Sequence, residues 1–263
     1  MDTVTIRGVE LGSGIPKIVV PIVEATQEGI LNKAWEIVSL PVEMVEWRGD
    51  FYRDVLCPDR LLETLGKLRA ALGGLPVIFT LRTRHDGGEL DVSFEQYKAI
   101  NEDAAASGCA DVIDVEIYRG AQALQDHIDA IHSIGVRVIG SFHDFRSTPS
   151  RQEMVSRLRQ AQDMGSDISK IAVMPRCQRD VLALLDASVE MREQYAERPI
   201  VAISMGPMGV VSRIACEATG SCMTFGAAGK ASAPGQIQVE DLRHTLDVLH
   251  LAQFGSPPCC GTP

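Results

Sequence analysis

The stretch "SDISKIAVMP", residues 166–175, decides how the rest of the chain is read. Its centre, "ISKIAV" (168–173), has the length and β-branched content of a buried strand. Apart from Lys170, every side chain from Ile168 to Met174 is apolar or small. Similar runs occur on both sides: "KIVVPI" (17–22), "VEMVEW" (42–47), "VIFTL" (77–81), "DVIDVE" (111–116), "VRVIGSF" (136–142), "PIVAIS" (199–204) and "CMTFGA" (222–227). Amphipathic segments lie between them. In "PDRLLETLGKLRAAL" (58–72) Pro58 suits the first helical position, and Leu61, Leu65, Leu68 and Leu72 form one stripe. Ser93 with Gln96, and Ser150 with Glu153, have capping-box spacing at two other helix starts. "VEDLRHTLDVLHLAQF" (239–254) supplies the last helix.

Strands alternating with helices imply a parallel sheet, and eight such units in 263 residues predict an α/β fold of the (β/α)8 TIM barrel type. An open doubly wound sheet would favour a glycine-rich dinucleotide turn after the first strand, and "PIVEATQEG" (21–29) is not one. The N-terminal "TVTIRGVELG" (3–12) is predicted to add a strand or hairpin that closes the barrel's lower end. Residues 1–263 are expected to form one barrel domain, with 255–263, "GSPPCCGTP", as a mobile tail.

The formal charge of −10 argues against nucleic acid or an anionic membrane surface as partner, but leaves room for a small anionic substrate in a cleft of opposite local field. No apolar stretch is long enough to span a bilayer, and "MDTVTIRGVELGSG" (1–14) lacks the pattern of an export signal. The seven cysteines are odd in number and form no CxxC or Cys/His cluster. Reduced thiols, a cytoplasmic location and a site without metal or cofactor are the expectations.

Period-two alternation sorts the strand side chains. Glu46 and Arg48 share a face with Met44; Arg82 continues the face of Ile78 and Thr80; Asp114 and Glu116 go with Val112. Ser141 pairs with His143, Lys170 with Ile168 and Ala172, and Met205 with Val201 and Ile203. Helix-facing positions must be apolar, so these charges are predicted to point into the barrel. Most sit at the C-terminal strand ends, where such barrels build active sites. Lys170 lies one pleat repeat deeper. Glu46 and Arg48 also have a structural reading, as an ion pair at the rim, and Asp114 and Glu116 as neutralising partners of arginines. A lysine inside a strand is harder to explain that way, because an isolated buried ammonium is costly whereas a neutral amine is a nucleophile. Lysine, histidine and arginines on one rim support a Schiff base followed by either aldolase-type C–C cleavage or β-elimination of water.

"VEMVEWRGD" (42–50), "FTLRTRHDGGE" (79–89), "GSFHDF" (140–145), "SKIAVMP" (169–175), "SMGPMGVVSR" (204–213) and "SAPGQI" (232–237) together resemble the type I 3-dehydroquinate dehydratase family. The resemblance runs in order from about Lys17 to Phe254. It implies a (β/α)8 barrel, usually a homodimer, that removes water from 3-dehydroquinate to give 3-dehydroshikimate in the shikimate route, through a Schiff base and without metal or cofactor. It further implies Lys170 as the imine-forming residue and His143 as the base for the C2 proton and the acid for the departing C1 hydroxyl. Arg213 would take the substrate carboxylate. Ser232 and Gln236 would lie on a closing loop, Glu46, Arg48 and Arg82 would hold ring hydroxyls, and Met205 would pack on the ring.

Two positions depart from the family pattern. Asp86 stands where the family usually has a glutamate that orients the histidine, and is expected to support His143 less tightly. Pro21 stands where many relatives have serine. A class I aldolase and a non-catalytic metabolite sensor are the rival readings. The first fits poorly with Arg213 and "SAPGQ" as carboxylate and hydroxyl binders; the second would be expected to have lost Lys170 or His143.

Overall fold

The computed structural model describes residues 2–117, 121–229 and 233–255. Eight parallel strands follow one another around a barrel: β1 Lys17–Ile22, β2 Met44–Arg48, β3 Val77–Thr80, β4 Val112–Glu116, β5 Arg137–Asp144, β6 Ile168–Val173, β7 Ile200–Ser204 and β8 Met223–Phe225. Neighbours pair in sequence order, β8 pairs with β1, and a parallel bridge between Ile200 and Ser221 brings β7 to β8. The TIM barrel read from the strand–helix alternation is the fold observed. Beyond Gly255 the tail expected at 255–263 lies outside the described residues, as does Ser232.

Helices α1 Gln27–Ile37, α2 Pro58–Leu72, α3 Phe94–Ala106, α4 Ala121–Ser133, α5 Arg151–Asp163 and α6 Gln178–Glu190 fill the crossovers as far as β7. Local chemistry sets their ends. Pro58 occupies the first turn of α2, where its missing N–H costs no hydrogen bond, and Leu61, Leu65, Leu68 and Leu72 are all buried. Ser93 and Gln96 cap α3 reciprocally, and the Ser150 hydroxyl accepts from the Glu153 N–H at the start of α5. Between β7 and β8 the crossover holds two four-residue helices, α7 Val211–Ile214 and α8 Cys216–Thr219. The segment before them turns at Gly206, whose φ of 74° favours glycine, and at Gly209, where a Cβ would meet the Ser204 carbonyl at 2.2 Å. Helix α9, Val239–Phe254, closes the ring.

Alternation along the strands divides two apolar cores. One face of each strand packs outward on the helices, as with Val45, Trp47 and Phe79 against the α2 stripe. The other face fills the barrel floor with Val19, Met44, Ile78, Val112, Ile139, Ile168, Val201 and Met223. Two short antiparallel strands, Val4–Ile6 and Val9–Leu11, form the expected hairpin. Its buried Val4, Ile6 and Leu11 join this floor and close the lower end. The polar and charged residues of the same inward face follow two and four residues later, toward the C-terminal mouth.

Leu65, fully buried in the α2 stripe, sets a scale for the outer core. Leu65→Ala should lower the free energy of unfolding by about 2–5 kcal/mol, read as a lower urea midpoint with an unchanged slope.

Candidate active site

Strand register carries the inward side chains to a common level. Ser141 pairs with Lys170 across β5 and β6, and Thr80 with Asp114 across β3 and β4. His143 pairs with Ala172, one pleat repeat above Lys170. Glu46, Arg48, Arg82, His143, Lys170, Met205, Arg213 and Gln236 all line one cavity. Asp86 stands behind His143 rather than in the cavity wall. Thus nine of the ten predicted site residues fall at one place, and Ser232 is outside the described residues.

Lys170, only 5% exposed, is not isolated. Its Nζ donates to Asp114 Oδ2 at 3.0 Å, lies 3.7 Å from Glu46 Oε1 and sits 4.6 Å from the centre of the Phe225 ring. Asp114 in turn accepts from Arg82 Nη2 at 2.7 Å and from the Ser141 hydroxyl at 2.5 Å. Arg82 also reaches Ser141 Oγ at 3.0 Å and Glu116 Oε1 at 3.3 Å. Burial alone would push the Asp114 carboxyl up, but Arg82 and then Lys170 outweigh it and hold it well below the usual carboxylate range. Asp114 is therefore a fixed negative charge under the lysine.

The structural readings of these charges change accordingly. Arg48 makes a two-pronged pair with Asp50, at 2.7 Å on each prong, and not with Glu46. Glu46 accepts instead from the Thr80 hydroxyl at 2.9 Å. Asp114 and Glu116 do neutralise an arginine, Arg82, but Asp114 is shared with Lys170. Asp50, Thr80, Ser141, Phe145 and Phe225 are site residues that the sequence reading did not single out. Parity had already put Thr80 and Ser141 on inward faces. Asp50 and Phe145 lie beyond regular alternation, on a turn and a strand end.

His143 is largely buried, its side chain 10% exposed, with Phe145 stacked nearly parallel 6.3 Å away. Burial, reinforced by Arg82, pushes the imidazole down to about 4 against the pull of Asp86, so the ring is neutral near pH 7. Asp86 Oδ2 lies 3.4 Å from His143 Nδ1 and accepts from the His143 backbone N–H at 3.2 Å.

Arg213 is 2% exposed yet has no carboxylate within ion-pair distance among the described residues. Its guanidinium donates only to the carbonyls of Phe225 and Pro234, at 3.3 and 3.2 Å, and its Nε has no partner there. Burial pushes it down to about 10. A buried cation left short of an anion marks where a negatively charged ligand would be stabilised. Among the described residues no group of three or more His, Cys, Asp or Glu is arranged to hold a metal ion, and no helix is long and apolar enough to cross a membrane.

A parallel barrel whose C-terminal mouth gathers a buried lysine, a neutral histidine and an anion-seeking arginine has the construction of a (β/α)8-barrel enzyme. Residues 18–253 match the family model for type I 3-dehydroquinase. The 3-dehydroquinate dehydratase of Clostridium botulinum is 45% identical over 247 residues, 94% of this chain and 97% of that protein. That of Salmonella agona is 44% identical over 96% of this chain and all of its own length. Among solved structures, type I 3-dehydroquinate dehydratase from Clostridium difficile, with covalently modified comenic acid, superposes with a TM-score of 0.93 at 40% identity over 95% of this chain and 99% of its own. The enzyme from Geobacillus kaustophilus gives 0.92 at 31% identity, covering 97% and 98%. The chain belongs to the type I 3-dehydroquinase family. It is an enzyme of the hydro-lyase class, with 3-dehydroquinate dehydratase as the family activity.

The depressed His143 is directly testable. An unfolded histidine titrates near 6.5 and so takes up its proton before the folded one. The contribution of His143 to stability is then complete above about pH 6.5 and is lost as pH falls toward 4. NMR titration of labelled histidine should show the His143 imidazole still neutral at pH 5 in the folded protein, as the resonance that vanishes in His143→Gln.

Proposed function

We propose that the chain dehydrates 3-dehydroquinate to 3-dehydroshikimate in the shikimate route, through a Schiff base on Lys170. The observation that carries this reading is the shared cavity, in which a buried arginine without an anionic partner among the described residues stands with Lys170 and a neutral His143. Covalently modified comenic acid in the Clostridium difficile relative is consistent with a nucleophile in such a cavity.

Neutral His143 takes a proton from Lys170 Nζ, the freed amine attacks the C3 ketone, and the same proton returns to the carbinolamine hydroxyl, which leaves as water to give an iminium. The positive charge then sits where the ammonium was, 3.0 Å from Asp114 and 3.7 Å from Glu46, so both carboxylates oppose it without rearrangement. The iminium acidifies C2–H. Neutral His143 removes that proton, with Asp86 behind it, and the electron pair forms an enamine. Electrons returning from nitrogen expel the C1 hydroxyl, which takes the proton from His143 and leaves as water. Hydrolysis of the conjugated iminium frees the product and Lys170. Arg213 holds the substrate carboxylate, Arg48, Arg82 and Glu46 address the ring hydroxyls, and Met205 packs on the ring. Gln236, which lines the same cavity, belongs to a loop that closes over the imine and keeps water from it. The enzyme works as a single barrel domain, in the cytoplasm and as a homodimer.

Incubation with 3-dehydroquinate should generate the ultraviolet absorbance of a conjugated enone; no absorbance change with pure substrate would overturn the assignment. Arg213→Ala should raise KM by about 10–100-fold, the worth of a charge-assisted hydrogen bond to the carboxylate. Asp86→Glu should leave kcat unchanged or raise it, because the longer side chain reaches nearer to His143; a large fall would show that the loop is built around aspartate.

A further inference from the structure

Asp86 does not face His143 alone. Its Oδ1 accepts from Nδ1 of His85 at 3.1 Å, while Oδ2 accepts from the His143 backbone N–H at 3.2 Å and stands 3.4 Å from the His143 ring. The three side chains pass from solvent, through the buried Asp86, to the cavity wall. That of His85 is 60% exposed, Asp86 1% and His143 10%. Resting on the reading of His143 as the reaction's base, we propose that His85 is a positioning residue, which holds the Asp86 carboxylate in the plane that presents Oδ2 to His143 Nδ1.

The contact between Asp86 and the ring is long for a hydrogen bond, and among the described residues His143 Nδ1 has no partner within bonding geometry. An aspartate at this distance must rely on orientation. One oxygen, Oδ2, is fixed by a main-chain N–H and stands 4.0 Å from Arg82 Nη1, but a single anchor leaves the carboxylate free to turn about it. Arg82 is already engaged by Asp114, Glu116 and Ser141. His85 anchors the second oxygen and resists that rotation. The backbone is prepared for it: residues Arg84–Asp86 form one 3-10 turn ending at Gly87 with φ 80°. A Cβ at Gly87 would meet the Phe145 ring at 2.3 Å, and that ring stacks on His143. The turn bearing His85 and Asp86 is thus seated against the histidine it serves. With Oδ2 held toward Nδ1, the proton stays on Nδ1 and Nε2 is the basic nitrogen.

Steady-state kinetics of His85→Ala, His85→Gln and His85→Ala in an Asp86→Glu background test this. In the parent background His85→Ala should lower kcat about 3–10-fold with KM unchanged, since the exposed side chain lies behind the histidine and not in the cavity wall. His85→Gln, which keeps an N–H donor, should stay within about twofold of the parent. In the Asp86→Glu background the loss caused by His85→Ala should shrink to less than about twofold, because the longer carboxylate meets the ring directly. The acid limb of kcat should move to lower pH in His85→Ala only, as the pull of Asp86 on the imidazole weakens. The other groups facing this cluster, Arg82 after β3, Asp114 and Glu116 on β4, Lys170 on β6, and Arg84, Asp144 and Arg146 around the outer side, are the same in every variant. A silent His85→Ala, an equal loss in both backgrounds, or no rescue by glutamine would each overturn the proposal. An inactive parent protein would instead remove the functional reading on which it rests.

Discussion

Everything at the mouth of this barrel is organised around the contact of Lys170 with Asp114, 3.0 Å apart and almost wholly out of water. Removing either charge from water is expensive, and the cost is met only because Asp114 is also gripped by Arg82 and Ser141. Arg82 in turn needs Glu116, and lies near Asp86. The network is therefore over-determined, with little freedom for the amine to wander. Carboxylates are in excess around Lys170 and Arg82, so a positive charge at the lysine nitrogen is compensated whether it belongs to an ammonium or to an iminium.

Parallel register makes this arrangement possible. A period of two sends apolar residues to the floor and, on the same face a few residues later, polar ones to the mouth. The floor is closed by Val4, Ile6 and Leu11 of the hairpin, which leaves the cavity open on the mouth side. Arg213 enters from the broken helical segment after β7, which brings it to 2% exposure beside the end of β8. The glycines of that segment allow the chain to turn back over the strand ends.

Much of this was legible in the residues. Alternation put Glu46, Arg82, Asp114, His143 and Lys170 on inward faces, and the leucine stripe of α2 and the cap of α3 appear as expected. Partner choice was not legible. Arg48 selects Asp50, two residues on, because a turn bends the chain back on itself, and no strand periodicity describes that turn. The pairing of Lys170 with Asp114 depends on the closure that brings β4 and β6 across the barrel interior, a contact 56 residues apart in sequence. The short helices after β7 were missed because the strand–helix alternation was extended through a segment whose glycines and proline oppose it.

The central claim is that Lys170 reacts with the substrate. Incubating the protein with 3-dehydroquinate, reducing with borohydride and mapping the product by peptide mass spectrometry tests it most directly. A stable adduct is expected on the peptide bearing Lys170 and absent in Lys170→Ala, with loss of turnover in that variant. An unmodified Lys170 peptide, together with a Lys170→Ala variant as active as the parent, would contradict the claim and leave the lysine a structural member of the charge network.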